Sequence, residues 1–251
     1  MIEADARGDA ISNTANRRPR LRGTLYAQCP AGAKTLYNWS LFHLSQEQYY
    51  QVPEWANYHW LRHGFGTRDA ELPPGPLATV KQVHGPDVLI ADQPGQQGTA
   101  DGLISDTPGL LVGIRTADCL PILLADPVNR VVSAVHAGWR GTAAEIAQRA
   151  IHLMNVRFGS DPTRLEAAIG PGIGLCCFEV GPEVAREFGP WDSDSKTCLD
   201  LSRINRSQLE RFGVTKIYQS GLCTMCGTGF HSFRRDREQA GRMLSFVGKA
   251  S

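Results

Sequence analysis

Apolar residues in this chain come in short runs, and from residue 77 onward most of those runs have strand length. Val88-Leu89-Ile90, Leu110 to Ile114, Leu120 to Leu124 and Val131 to Val135 are each bounded by polar or turn-forming residues, and each predicts a strand. The last two are joined by a stretch rich in turn formers, Ala125-Asp126-Pro127-Val128-Asn129-Arg130, which predicts a hairpin. The period then changes. Apolar residues at 146, 147, 150, 151 and 154 form a one-sided stripe, which predicts a helix from Thr142 to about Phe158 with Gly159 at its C-terminal cap. Thr142 and Glu145 have the spacing of a capping box at its start. Further on, Leu165 to Ile169 predicts a buried strand and Gly181-Pro182 the opening of a short helix. A second helix is expected over about 202–212, stopped by Gly213, with strands at 214–218 and 243–247. Hairpins mixed with segregated helices predict an α+β fold of mixed β-sheets flanked by helices, not a doubly wound parallel sheet.

The first part of the chain reads differently. Residues 1–22 are polar and carry Arg17, Arg18, Arg20 and Arg22, the composition of a disordered tail. Residues 23–62 are crowded with aromatics, which predicts a hairpin and a short helix packed on the main body. The expected organisation is therefore a tail at 1–22 and one domain at 23–251, long enough to bury a core. A net charge of +1 argues against a dedicated partner in nucleic acid or acidic membrane. The apolar runs are far too short to span a bilayer, and the polar opening at Met1 shows no export signal, so a cytoplasmic location is expected. In that setting the seven cysteines read as reduced thiols rather than a disulfide framework.

Candidate chemistry concentrates between Ser133 and Glu145. A strand delivers His136 to its end, a glycine-bracketed turn follows through Gly138-Trp139-Arg140-Gly141, and a helix begins. That places an imidazole and a guanidinium at the positive end of a helix, where anions bind. Cys119 and His136 flank the predicted hairpin at the ends far from its turn, so their side chains can meet. With His84, they would supply three zinc-compatible ligands and leave a fourth position open. The spacing matches no compact zinc motif, however, and a buried Cys and a strand-end His are ordinary packing residues. Asp118 reads either as a group that orients a ligand or moves a proton, or as a turn aspartate. Cys223 and Cys226 form a CxxC without a following helix, and Cys176-Cys177 are vicinal; both pairs read as packing cysteines. Arg234 and Arg235 read as a salt-bridged face, and no spacing rule assigns His63 or Arg68 a role.

Several segments together resemble one family, the laccase-domain proteins (multicopper polyphenol oxidoreductases, YfiH/YlmD-like). They are HGFGTR at 63–68, KQVHG at 81–85, ADGLIS at 100–105, RTADCLPILLADP at 115–127 and AVHAGWRGT at 134–142. IGPGIGLCCFEVG at 169–181 and CTMCGTGFHSFRRD with a later GR, over 223–242, complete the ordered set. The resemblance implies that His84, Cys119 and His136 are zinc ligands, that the fold is α+β, and that the site lies near a subunit boundary. It implies purine nucleoside chemistry: phosphorolysis of adenosine, inosine, guanosine or methylthioadenosine, with adenosine deamination. Polyphenol oxidation with copper and peptidoglycan editing by a cysteine or zinc hydrolase are further activities described in the family. The chain departs from the family pattern at Gly66, where Ser is common, and in a shortened 69–80 segment, both of which bear on substrate recognition.

Ligand counting separates these activities. Seven scattered histidines and no His-Cys-His triplet make a poor multicopper oxidase, although copper outcompetes zinc at N/S sites. The expected ligands are thus a small nucleoside and phosphate, bound by a monomer or homodimer, with Arg140, Gly141 and Arg68 at the anion and Asp118 beside the metal.

Overall fold

The computed structural model describes residues 26–27, 42–189 and 196–251; the expected tail at 1–22 lies outside them. The fold is α+β with mixed sheets, as the patterning predicts. A six-stranded sheet runs in the order Lys216–Gln219, Glu166–Ile169, Leu120–Asp126, Val131–Ala137, Gly102–Ser105, Val88–Ile90. Its two edge pairings are parallel and its inner pairings antiparallel. A seven-stranded sheet runs His43–Leu44, Tyr49–Gln51, Leu61–Gly66, Met243–Lys249, Leu111–Thr116, Leu77–Lys81, Gly95–Thr99. A three-stranded sheet joins Tyr26–Ala27, Thr197–Leu199 and Glu179–Val180. In the aromatic-rich region, the expected hairpin and short helix are found at His43–Gln51 and Pro53–Asn57.

Leu120–Asp126 and Val131–Ala137 are buried along their whole length, which is why they read as unbroken apolar runs. Successive side chains point to opposite faces. Ile122, Leu124 and Val135 enter a core shared with Ile146, Ala150, Ile151 and Met154 of the long helix. Leu123, Ala125, Val132 and Ala134 enter a second core shared with Phe65, Val112, Ile114 and Val247 of the seven-stranded sheet. Helices, inner sheet and outer sheet thus form three layers.

The expected helix from Thr142 to Phe158 is two helices, Trp139–Ala143 and Ile146–Phe158. Glu145 breaks them apart in the left-handed region at φ 58°, and the Thr142/Glu145 capping box does not form. Gly138 caps the first helix without a side-chain bond. Thr142 is fully buried inside that helix, where a tertiary contact takes the place of the local cap. Its Oγ1 accepts from Asn205 Nδ2 at 2.9 Å and its carbonyl accepts from Gln208 Nε2 at 2.9 Å, both on helix Leu201–Arg211. Gly159 does form the left-handed C-terminal cap, at φ 67°. Cys198 is disulfide-bonded, which corrects the expectation that all seven cysteines are free thiols.

Candidate metal centre

The hairpin of Leu120–Asp126 and Val131–Ala137 pairs Pro121 with His136 and Leu120 with Ala137. Cys119, immediately before the first strand, therefore lies beside His136 at the open end of the hairpin. His84 comes from a loop that follows strand Leu77–Lys81, and its backbone is left-handed at φ 60°. The ligand atoms of His84, Cys119 and His136 all lie within 4.8 Å of one another. His136 is buried, Cys119 half-buried and His84 exposed, so the cluster faces outward on one side.

Asp101 organises this cluster, and the sequence reading assigned it no role. It is fully buried. Its Oδ1 pairs with His136 Nδ1 at 2.7 Å, which leaves Nε2 of that ring to face the cluster. The same carboxylate accepts from the backbone N–H groups of Val83, His84 and Gly85 at 3.1, 2.9 and 2.7 Å. One side chain thus orients one imidazole and clamps the loop carrying the other. Burial alone would raise the Asp101 carboxyl, but His136 and the backbone N–H groups outweigh it and hold it below the ordinary carboxylate range. Burial likewise opposes thiolate formation at Cys119, yet hydrogen bonding to His136 and His84 wins and brings it down to about 6. His136 moves the other way. Burial disfavours its charge, but Asp101 and Cys119 draw it up to about 9. In the sequence Asp101 stands within the ADGLIS motif, just before the apolar pair Leu103-Ile104, and neither feature says which groups its carboxylate meets.

The donor set fits a borderline-soft divalent cation such as zinc: two imidazoles, one thiol already biased to thiolate, and a carboxylate behind one imidazole. Gly138 adds a steric argument, because a Cβ there would stand 3.0 Å from Cys119 Sγ and 3.2 Å from His84 Cδ2. Only a glycine lets the backbone pass this close to the cluster without crowding it.

The remaining candidate residues are placed less centrally. Asp118 is held in the left-handed region at φ 87°. Both its oxygens are committed, Oδ1 accepting from Thr224 Oγ1 at 2.7 Å and Oδ2 from the Arg234 backbone N–H at 2.6 Å. These contacts brace the segment carrying Cys119. Arg140 is exposed, with its guanidinium 4.3 Å from the centre of the Trp139 ring. Glu145 pairs instead with Arg211 at 3.4 Å. Gly141 does not precede the helix as expected; it lies buried within Trp139–Ala143, where a Cβ would stand 3.4 Å from the Gly85 carbonyl and 3.5 Å from that of His136. The tightest of its neighbours would be Ile146 Cγ2 at 3.3 Å, so the position packs closely beneath the loop. Arg68 belongs to another loop, donating to the Thr228 carbonyl at 3.2 Å.

The four cysteines read as packing residues are brought together. The sulfurs of Cys176, Cys177, Cys223 and Cys226 all lie within 4.8 Å of one another, three half-buried and Cys226 exposed. Two loops far apart in sequence meet there, a juxtaposition that pair spacing does not encode. A cavity of about 1010 Å³ lies elsewhere, lined by Tyr49, Trp55, Tyr58, Arg62 and His63 and by none of these ligand candidates.

Comparison with known proteins agrees with the motif pattern. A purine nucleoside phosphorylase of Deinococcus radiodurans is 44% identical over 179 residues, 68% of this chain and 70% of that protein. The purine nucleoside phosphorylase YfiH of Escherichia coli K12 is 36% identical over 187 residues, 70% of this chain and 74% of its own length. The crystal structure of YlmD from Geobacillus stearothermophilus superposes with a TM-score of 0.76 at 28% identity, covering 84% of this chain and all of that one. A Bacillus licheniformis protein, YfiH, superposes with a TM-score of 0.75. The family described as multi-copper polyphenol oxidoreductase laccase matches residues 58–250, a span containing every motif and both cysteine-bearing clusters, and the chain belongs to that family.

Proposed function

We propose that this chain is a zinc-dependent purine nucleoside phosphorylase whose centre is His84, Cys119 and His136. The observation that carries the reading is the convergence of these three ligand atoms within 4.8 Å around a buried Asp101–His136 pair. The names of the relatives supply the substrate class. Bound there, zinc would supply Lewis acidity beside the substrate, the same capability that adenosine deamination needs. The protein's own residues do the rest. Asp101 fixes the His136 ring and the His84 loop, and Gly138 keeps the approach free of side chain. Arg140, four residues after His136, offers the phosphate a guanidinium that Trp139 holds by stacking. In phosphorolysis a phosphate oxygen bonds to ribose C1′ as the bond from C1′ to the purine nitrogen breaks, and that nitrogen takes up a proton.

The test is an assay of adenosine, inosine, guanosine and methylthioadenosine with and without phosphate, before and after chelation. The expected result is base release that needs phosphate and is lost on chelation, with ammonia release from adenosine as a side activity. Arg140→Ala should raise KM for phosphate roughly 10- to 100-fold, the loss of one charge-assisted contact, with zinc content unchanged and Arg140→Lys intermediate. Base release that ignores phosphate would overturn the phosphorylase reading. A second reading rests on Cys119 held near 6 beside His136, the arrangement of a thiolate nucleophile in a hydrolase acting on cell-wall precursors. Activity on such amides that survives chelation and is lost in Cys119→Ser would establish it instead.

A further inference from the structure

We propose that Cys176, Cys177, Cys223 and Cys226 form a second metal centre, a tetrathiolate zinc site that locks together the two loops bracing Cys119. This site is separate from the His84 centre and shares no ligand with it.

The sulfur geometry is the first argument. Cys177 Sγ and Cys226 Sγ are 3.3 Å apart, Cys176 Sγ and Cys226 Sγ 3.6 Å, and all four sulfurs fall within 4.8 Å. Four thiolates at zinc, each about 2.3 Å from the ion, stand roughly 3.8 Å from one another. A disulfide would need about 2.0 Å. The sulfurs are therefore too far apart to be bonded in pairs and close enough to share one tetrahedral ion. Four sulfur donors in that geometry select zinc or iron–sulfur chemistry over harder cations, and a single ion-sized cluster favours zinc. Four thiols that surrender their protons to solvent and bind one Zn²⁺ carry a net charge of −2.

The backbone around the sulfurs is built as a ligand loop. Gly174 N–H points at Cys223 Sγ at 3.3 Å, and Gly227 N–H returns to the Cys223 carbonyl at 2.9 Å. Gly172 N–H donates to the Leu222 carbonyl at 3.2 Å and Thr224 N–H to the Gly172 carbonyl at 3.0 Å, so the two cysteine-bearing loops are zipped together at their base. Packing cysteines would be buried in apolar surroundings, whereas here Cys226 is exposed.

The order of the cysteine-bearing loop is the second argument. Arg235 lies against the same loop, its guanidinium donating to the carbonyls of Thr224, Met225 and Gly227 at 3.1, 3.2 and 3.1 Å. Its neighbour Arg234 stacks over Phe178, the residue after Cys177, at 5.6 Å. Arg235 is itself paired with Asp236 at 2.7 and 2.8 Å, and the Arg234 guanidinium donates to the Glu179 carbonyl at 3.0 Å, so these side chains order the loop around the sulfurs.

The consequence reaches the first centre. Thr224, within the CxxC, holds Asp118 Oδ1; Arg234 N–H holds Asp118 Oδ2; Ile173 N–H holds the Asp118 carbonyl at 2.7 Å. All three partners sit on or beside the loops that the tetrathiolate would close, and the residue they hold directly precedes Cys119.

The test is elemental analysis of the full chain, purified reduced from zinc-supplemented cells. The wild type should carry two zinc ions per chain. Cys119→Ala should carry one, and so should Cys226→Ser, whose exposed position spares the core; the two losses identify the two sites independently. Cobalt substitution of Cys119→Ala should show the intense sulfur-to-metal absorption of a tetrathiolate, and Cys226→His, which keeps a ligand, should restore zinc. One zinc in the wild type, lost in Cys119→Ala and retained in Cys226→Ser, would overturn the second centre. So would disulfides among these four residues mapped in the reduced preparation. The first outcome leaves the His84 centre standing, since its zinc is read from Cys119→Ala, and the second does not touch it.

Discussion

Asp101 holds together the side chains of the proposed metal centre. Its one carboxylate fixes the His136 ring at 2.7 Å and holds the His84 loop by three backbone N–H groups. An isosteric amide cannot do both, because its NH2 end would face N–H donors. Asp101→Asn should therefore weaken zinc binding roughly 10- to 100-fold, the usual cost of losing a carboxylate behind a ligating histidine. Competition against a chromophoric chelator measures it, on protein whose far-ultraviolet circular dichroism is unchanged. An unaltered zinc affinity would show that the ligands orient themselves. Of the three candidate ligands, Cys119 and His136 were legible as residue types at the ends of predicted strands, and His84 as a ligand type within the KQVHG segment. Asp101 was not, because an acid before an apolar run looks the same whether its carboxylate turns inward or out to water.

At the scale of elements, the break between Trp139–Ala143 and Ile146–Phe158 shows a tertiary demand overriding a local signal. Thr142 and Glu145 have the spacing of a capping box, yet Thr142 is turned inward to Asn205 while Glu145 adopts a left-handed backbone. A non-glycine residue there carries a conformational cost of about 1 kcal/mol. Its compensation, the Arg211 contact at 3.4 Å, involves exposed side chains and is worth little. Glu145→Gly should thus be neutral to stabilising by about 0.5–1 kcal/mol, read as a higher urea midpoint with unchanged slope. A fall of more than 1 kcal/mol would mean that the Glu145 side chain carries stability that its contacts do not reveal. Elements that obey purely local rules came out as read: the 120–137 hairpin, the Gly159 cap, and the helix beginning with proline at Pro182.

For the whole molecule, two polar centres lie among the apolar layers. Glu166, on the inner sheet, accepts from Trp55 Nε1 at 2.9 Å, Tyr58 OH at 2.6 Å and Lys216 Nζ at 2.8 Å. His63, on the outer sheet, is buried and accepts the Val52 N–H at Nε2 at 2.8 Å, so it must stay neutral. Burial pushes it down from 6.5 to about 4. The unfolded chain takes up that proton below pH 6.5 and the folded chain does not until about pH 4. Stability from this group is therefore full above pH 6.5 and drains away as pH falls towards 4, by on the order of 3 kcal/mol. Asp101 and Glu166, both held below the ordinary carboxylate range, lose their contributions at still lower pH. His63→Gln keeps an acceptor for Val52 without a titrating proton. Urea melts at pH 7 and pH 4.5 should show a smaller acid loss in that variant than in the wild type; equal losses would place the acid sensitivity elsewhere.

What the sequence determined by itself was everything governed by neighbours along the chain. The unbroken apolar runs of the inner strands, the hairpin between them, the helix stripe at 146–154 and the mixed α+β class follow from patterning. The ordered motifs point to the family. Cys119 and His136 were visible because each stands at the edge of a predicted strand, and His84 because it lies in the KQVHG segment. Tertiary structure alone decided which buried carboxylate serves the imidazoles, where the helix breaks, and that two cysteine pairs about 50 residues apart share one cluster. The physical reason is the same each time. Side-chain partners across layers are chosen by the packing of strands and loops distant in sequence, and a residue's type and local spacing carry no record of which distant group it will meet.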